Sequence, residues 1–317
     1  MAGQLGLALS GGGAKGAYQV GALDFLVNEK GVDFRIVGGV STGALQAVMV
    51  AQGDVGKLLE VWKGIESPDD IFTERIGGIL GGLFGADSVY SNEPLEEKIR
   101  KHVKPERILA SGRKLRIGVA SLQTGEYRLV TETSGSLKDW ILASTAIPAF
   151  FEPVEKLGEQ FVDGGVRDVT PLGGVIDERP DACLVILASP LKMKPTAKPF
   201  PNLVKIGMRA IDVMSDEVLR NDLEEARWVN GLLRALDHAE TTIRGLGDAA
   251  ALQALAPLRE FLREYSVIPT YTLAPKKLVI DTLDFDPDHI KAALKQGRDQ
   301  AREEWPAIEK ALGLATS

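Results

Sequence analysis

Hydrophobic positions along this chain fall into two patterns, short unbroken apolar runs and longer stretches with helical spacing. Leu5-Gly6-Leu7-Ala8-Leu9, bounded by Gln4 and Ser10, reads as a buried strand. Ala17 to Val27 carries apolar residues at helical spacing until Gly31 stops it. Phe34-Arg35-Ile36-Val37 predicts a second strand, and Ala44 to Ala51 is a good helix former. Gln160-Phe161-Val162 predicts a short strand, and Asp181 to Ala188 a later core strand. From Asn202 to about Ala239, from Asp248 to Tyr265 and from Pro287 to Leu312 the pattern is amphipathic helix, with strand-like runs at Thr270–Leu273 and Leu278–Ile280 between them. At 317 residues, such mixed elements predict one large α/β domain with additions, or about two domains.

Glycine placement adds the chemistry. Many of the 34 glycines fall at 11–16, 38–43 and 77–85, with pairs at 164–165 and 173–174. The loop Gly11-Gly12-Gly13-Ala14-Lys15-Gly16 joins the first strand to the first helix, where amides free of Cβ obstruction and the helix dipole favour an anion or a developing oxyanion. Gly11, Gly13 and Gly16 also fit the dinucleotide pattern G-x-G-x-x-G. A nucleotide-binding oxidoreductase would need an acidic residue at the end of the second strand, which here runs into Gly38-Gly39-Val40-Ser41. A P-loop fails too, since Lys15 is followed by Gly16-Ala17 rather than by a hydroxyl residue. An oxyanion hole and a structural tight turn remain.

The second cluster decides between them. Gly39-Val40-Ser41-Thr42-Gly43 matches G-x-S-x-G between a strand and a helix, the context of a strained turn that presents a serine nucleophile. A serine needs a base. His102, His238 and His289 all sit in charged helical settings, predicting solvated faces. Asp163, at the end of a short strand and followed by Gly164-Gly165, is the better candidate; the competing reading is an Asp-Gly hairpin turn.

These blocks, with Ala143-Ser144-Thr145-Ala146-Ile147-Pro148, stand in the order and rough spacing of the patatin-like phospholipases, a family the chain resembles over about residues 5 to 190. The resemblance implies a three-layer α/β/α fold with a central, mostly parallel sheet. It also implies a Ser–Asp dyad of Ser41 and Asp163, and an oxyanion hole from the amides of Gly11, Gly12 and Gly13. Lys15 stands where arginine is commoner in the family, and an ammonium cannot make bidentate contacts. On this reading a catalytic domain spans 5–195 and a mainly helical C-terminal region, 196–317, completes or covers it. The implied activity is hydrolysis of fatty-acyl esters of phospholipids, lysophospholipids or related lipids through an acyl-enzyme, with no metal or cofactor. The alternative is a non-catalytic lipid-binding or regulatory protein on the same fold.

The remaining features set the surroundings. A net charge of −7 argues against nucleic acid and against a whole-surface pull toward anionic membranes. The one cysteine, Cys183, lies in an apolar run and predicts a buried inert thiol. The N-terminus lacks the basic region of a signal peptide, and no apolar stretch reaches membrane-spanning length, so a cytoplasmic location is expected. Ile76 to Gly85, five glycines alternating with large apolar residues, predicts either an apolar flap that admits acyl chains or makes peripheral membrane contact, joined by Phe150-Phe151, or a packed surface loop. Lys192 to Pro201 reads as a basic, proline-rich linker, and the C-terminal region as a helical cover that either shapes the acyl pocket or supplies the interface of a homo-oligomer, the sequence not choosing between them.

Overall fold

The apolar runs of the sequence become the central strands of one sheet. The computed structural model describes residues 3–75, 88–193, 195–197, 199–263 and 265–314. Its strands are β1 (Leu5–Leu9), β2 (Phe34–Gly39), β3 (Thr73–Glu74), β4 (Tyr90–Ser91), β5 (Lys114–Ser121), β6 (Tyr127–Val130), β7 (Val154–Lys156), β8 (Glu159–Asp163), β9 (Ala182–Ile186) and β10 (Thr270–Leu273). The main sheet has the order β10-β9-β1-β2-β5-β8-β7, with β6 also paired to β5. From β10 to β5 the neighbours are parallel; β8, β7 and β6 add antiparallel pairs. β1 and β9 are buried along their whole length, which is why they read as continuous apolar runs rather than alternating ones. Helices cover the sheet, so the expected α/β architecture with a mostly parallel centre is what the chain forms.

Residues after 195 take part in this core. β10 extends the sheet beyond β9, and the helix Pro287–Glu303 packs against the first helix, Ala17–Leu23. That packing is backbone-close: a Cβ on Gly297 would run into Tyr18 O, and one on Gly21 into Leu294 O. The helix Leu203–Leu246 is 44 residues long, beyond the expected end near Ala239, and stops at Gly247 with φ +70°. Three expected elements differ. Leu278–Ile280 forms no strand, and the helix expected over 287–312 breaks at Glu304, just before Pro306, into Pro287–Glu303 and Trp305–Ala311. The stretch 248–265 likewise divides at Leu255, two residues before Pro257, into Ala249–Ala254 and Ala256–Phe261.

Phe150 and Phe151 correct another expectation. Both are buried, and Phe151 packs on Phe72 and Tyr90 at ring distances of 5.9 and 6.2 Å, so they are core residues rather than part of a surface flap. The flap segment itself, 76–85, lies outside the described residues. Cys183 is fully buried, and burial pushes its thiol up to about 12, as the apolar run suggested. No helix among the described residues is long and apolar enough to cross a membrane.

Candidate active site

Ser41 is placed by the junction of β2 and the helix Thr42–Ala51. Its backbone lies at φ 57°, ψ −128°, a conformation unfavourable for a residue with a Cβ and stabilised here by its surroundings. The Ser41 N–H donates to Ser144 Oγ at 3.0 Å, and Ser144 Oγ in turn donates to Gly118 O at 2.7 Å, tying the turn to β5. The flanking glycines permit the turn by their size. A Cβ on Gly43 would run into Leu9 O and stand 2.7 Å from Ser10 O, and one on Gly39 would run into Gly43 O. Gly43→Ala is therefore expected to push the helix off β1 and to lower stability by about 2 kcal/mol or more, read from the denaturant midpoint.

Asp163 arrives from the other side. It ends β8 opposite Val119 of β5, its N–H donates to Ala146 O at 2.9 Å, and its Oδ1 accepts the Gly165 N–H at 2.8 Å. A short 3-10 turn, Gly164–Val166, follows β8, so the competing hairpin-turn reading is not the structure the chain adopts. The Ser41 hydroxyl lies by the Asp163 carboxylate, where it favours the ionised form. Burial raises the Asp163 carboxyl from its ordinary 3.8 to about 6, while Ser41 and the Gly165 N–H pull it the other way. Ser41 and Asp163 are each only 6% exposed.

The glycine loop lies beside them because β1 and β2 are parallel neighbours, with Leu9 opposite Gly39, so the loops leaving their carboxyl ends run side by side. Here the three amides differ. Gly11 N–H donates to Val169 O at 2.9 Å and Ala14 N–H to Thr282 O at 2.9 Å, whereas the amides of Gly12 and Gly13 meet no acceptor among the described residues. Gly13 takes φ +56° against the Thr282 carbonyl, a place without room for a Cβ. Lys15 is buried, and its ammonium stands 2.7 Å from Asp212 of the long helix. Thr282 Oγ1 also donates to Asp212, at 3.2 Å.

Two cavities meet at Ser41. A narrow one of about 110 Å³ runs among apolar side chains, including Met49, Leu58, Trp62, Ile99 and Phe285. A wider one of about 600 Å³ lies between the glycine loop, Asp163 and the long helix, which contributes Met208, Ile211 and Leu219. Of the three histidines, His238 is exposed, and His289 is exposed with Nδ1 2.7 Å from Asp284. His102 departs from the solvated-face expectation: it is half-buried at the wall of the narrow cavity, where burial and the charges of neighbouring lysines lower its pKa. No group of three or more histidine, cysteine or acidic side chains suited to a metal occurs among the described residues.

Sequence reading did not single out Asp212, Thr282 or the apolar wall residues. Asp212 sits in an ordinary amphipathic helix and Thr282 in a stretch that forms neither helix nor strand, so neither carries a local pattern. Ser144 lay within a quoted block, and its role becomes visible only through its two hydrogen bonds.

The class is thus an α/β protein with a strand–turn–helix serine at the carboxyl edge of its parallel strands. The chain belongs to the patatin-like phospholipase family, whose pattern matches residues 7–176, more than half of its length. It is 25% identical over 238 residues to the uncharacterized protein YqhO of Bacillus subtilis (strain 168), covering 65% of this chain and 79% of that one. It is 26% identical over 203 residues to the uncharacterized NTE family protein Mb1092c of Mycobacterium bovis (strain ATCC BAA-935 / AF2122/97). That match covers 63% of this chain and about half, 53%, of the relative. Among solved structures, VipD from Legionella pneumophila aligns with a TM-score of 0.46 at 16% identity, covering 97% of this chain and 67% of that one.

Proposed function

We propose that the protein is a serine lipid acyl hydrolase in which Ser41 is the nucleophile and Asp163 the base. Membership of a phospholipase family points to lipid acyl hydrolysis in general. The observation that carries the finer reading is the buried pair of Ser41 and Asp163, in which the serine hydroxyl stabilises the ionised carboxylate, beside two glycine amides with no acceptor among the described residues. Ser41 Oγ attacks the ester carbonyl carbon as its proton passes to Asp163. The negative charge that develops on the carbonyl oxygen is met by the N–H groups of Gly12 and Gly13. The oxyanion role expected of all three glycines narrows to these two, because Val169 O already holds the Gly11 amide.

As the tetrahedral adduct collapses, the alcohol leaves with the proton returned by Asp163, and the acyl group stays on Ser41. A water molecule then gives its proton to Asp163 and attacks the acyl carbon, and the same collapse frees the fatty acid and restores the Ser41 hydroxyl. The narrow apolar cavity suits the acyl chain, and the wide one the alcohol. No step calls for a metal or cofactor.

Asp163 accepts a proton only when ionised. kcat/KM is therefore expected to rise tenfold per pH unit below about pH 6 and to level off above it, because burial holds the native carboxyl near that value. A profile governed by a group near pH 4 would remove Asp163 from the role. Incubation with a fluorophosphonate probe tests the nucleophile: one adduct per chain on Ser41 supports catalysis, and lack of labelling favours a lipid-binding protein that does no chemistry.

A further inference from the structure

The narrow cavity has a depth as well as a lining. It starts at Ser41 and follows the helix Thr42–Ala51, from which Leu45 and Met49 reach its wall one and two turns beyond the serine. At a rise of about 1.5 Å per residue, those turns carry the wall about 12 Å from the nucleophile. Gln52, three residues further on, is off the wall and only 3% exposed. Its Nε2 donates to Met49 Sδ at 3.3 Å and to His102 O at 3.0 Å, and its Oε1 accepts the Lys104 N–H at 3.0 Å. One buried amide thus holds both the Met49 thioether and the end of the helix Glu93–His102 across the foot of the cavity. Ile99 and Val103 join Met49 on the wall, and all three are buried.

The remaining edge is polar. Lys98 and His102, one turn apart on the helix Glu93–His102, are half-buried and are the only titratable side chains on this wall among the described residues. A saturated chain longer than the cavity therefore either meets Met49 or passes beside Lys98 and His102 into water, and in neither case does a further methylene gain burial. Methionine is ordinarily an adaptable side chain, but here the bond from Gln52 restrains it. An extended chain advances about 1.27 Å per bond, so about eight to ten carbons reach from the ester carbonyl to Met49.

We infer that Met49, held by Gln52, is a floor that limits the acyl group, so that the protein selects esters of medium-chain acids over those of long-chain fatty acids. This rests on the placement of the acyl chain in the narrow cavity proposed above. Each methylene moved from water into the cavity should raise kcat/KM roughly fourfold, and the rise should end where the floor is reached.

The experiment is a series of nitrophenyl esters from butanoate to tetradecanoate, each below its aggregation concentration. For wild type, kcat/KM should climb to about eight to ten carbons and then fall. Met49→Ala removes the atoms beyond Cβ and should move the break about three carbons longer, whereas Met49→Phe should move it shorter. A merely structural role for Met49 would scale every ester alike and leave the break in place. A wild-type rate that keeps climbing through tetradecanoate overturns the inference. So does a break at the same carbon in all three proteins, which the solubility of the esters alone would give. Primary alcohols of the same lengths, bound to Ser41→Ala, read the depth without chemistry: their affinity should stop rising at about the same length, and an unbroken rise again overturns the floor. Failure of the hydrolase reading has a separate signature, in which wild-type protein neither turns over any ester nor labels at Ser41, and the alcohol series then still decides the depth.

Discussion

Ser41→Ala is expected to lower ester turnover by roughly 10⁴- to 10⁶-fold, since in the proposed mechanism Ser41 forms the acyl-enzyme. The fold should survive the change. Ser41 is small, its N–H bond to Ser144 Oγ is a backbone contact that alanine keeps, and the strained turn is set by Gly39 and Gly43 rather than by the hydroxyl. Turnover within tenfold of wild type, measured on the same acyl ester with matched circular dichroism, would require a different nucleophile.

Asp163→Asn should act on rate and stability in opposite directions. Loss of the base is expected to reduce the rate by at least roughly 10³-fold. Stability should rise at neutral and alkaline pH. In the native protein burial keeps Asp163 protonated up to about pH 6, whereas in the unfolded chain it ionises near 3.8. The protonated native carboxyl therefore favours folding fully below the lower value, and that contribution is lost as pH rises to about 6. The difference of about two pH units corresponds to about 3 kcal/mol, which an asparagine that cannot ionise would not lose. Denaturant midpoints at pH 8 and pH 4.5 should show the variant gaining most at pH 8. An equal effect at both would mean that the buried charge is not its source.

The contrast between these effects illustrates what the sequence could and could not disclose. Ser41, Asp163 and the glycine loop were legible because each sits in a local pattern tied to a strand end, and parallel pairing of β1 and β2 then brings loop and elbow together. β9 and β10 were legible as apolar or strand-like runs. The division of labour among Gly11, Gly12 and Gly13 was not, because it depends on carbonyls at Val169 and Thr282, far away in sequence. The core position of Phe151 was missed for the same reason: its partners, Phe72 and Tyr90, come from around a segment that itself read as surface. Leu278–Ile280 has the composition of a strand but pairs with none, so tertiary context overrode propensity.

The brace between Lys15, Asp212 and Thr282 also sets the order in which the site can come into being. During synthesis the nucleophile, the aspartate and the glycines are all present once about half of the chain has emerged, and the sheet from β1 to β8 can begin to form. The glycine loop is then still unanchored at Lys15 and Ala14, because Asp212 and Thr282 have not been made. The glycine loop is thus braced only when the residues around Asp212 close a contact spanning 197 residues onto it.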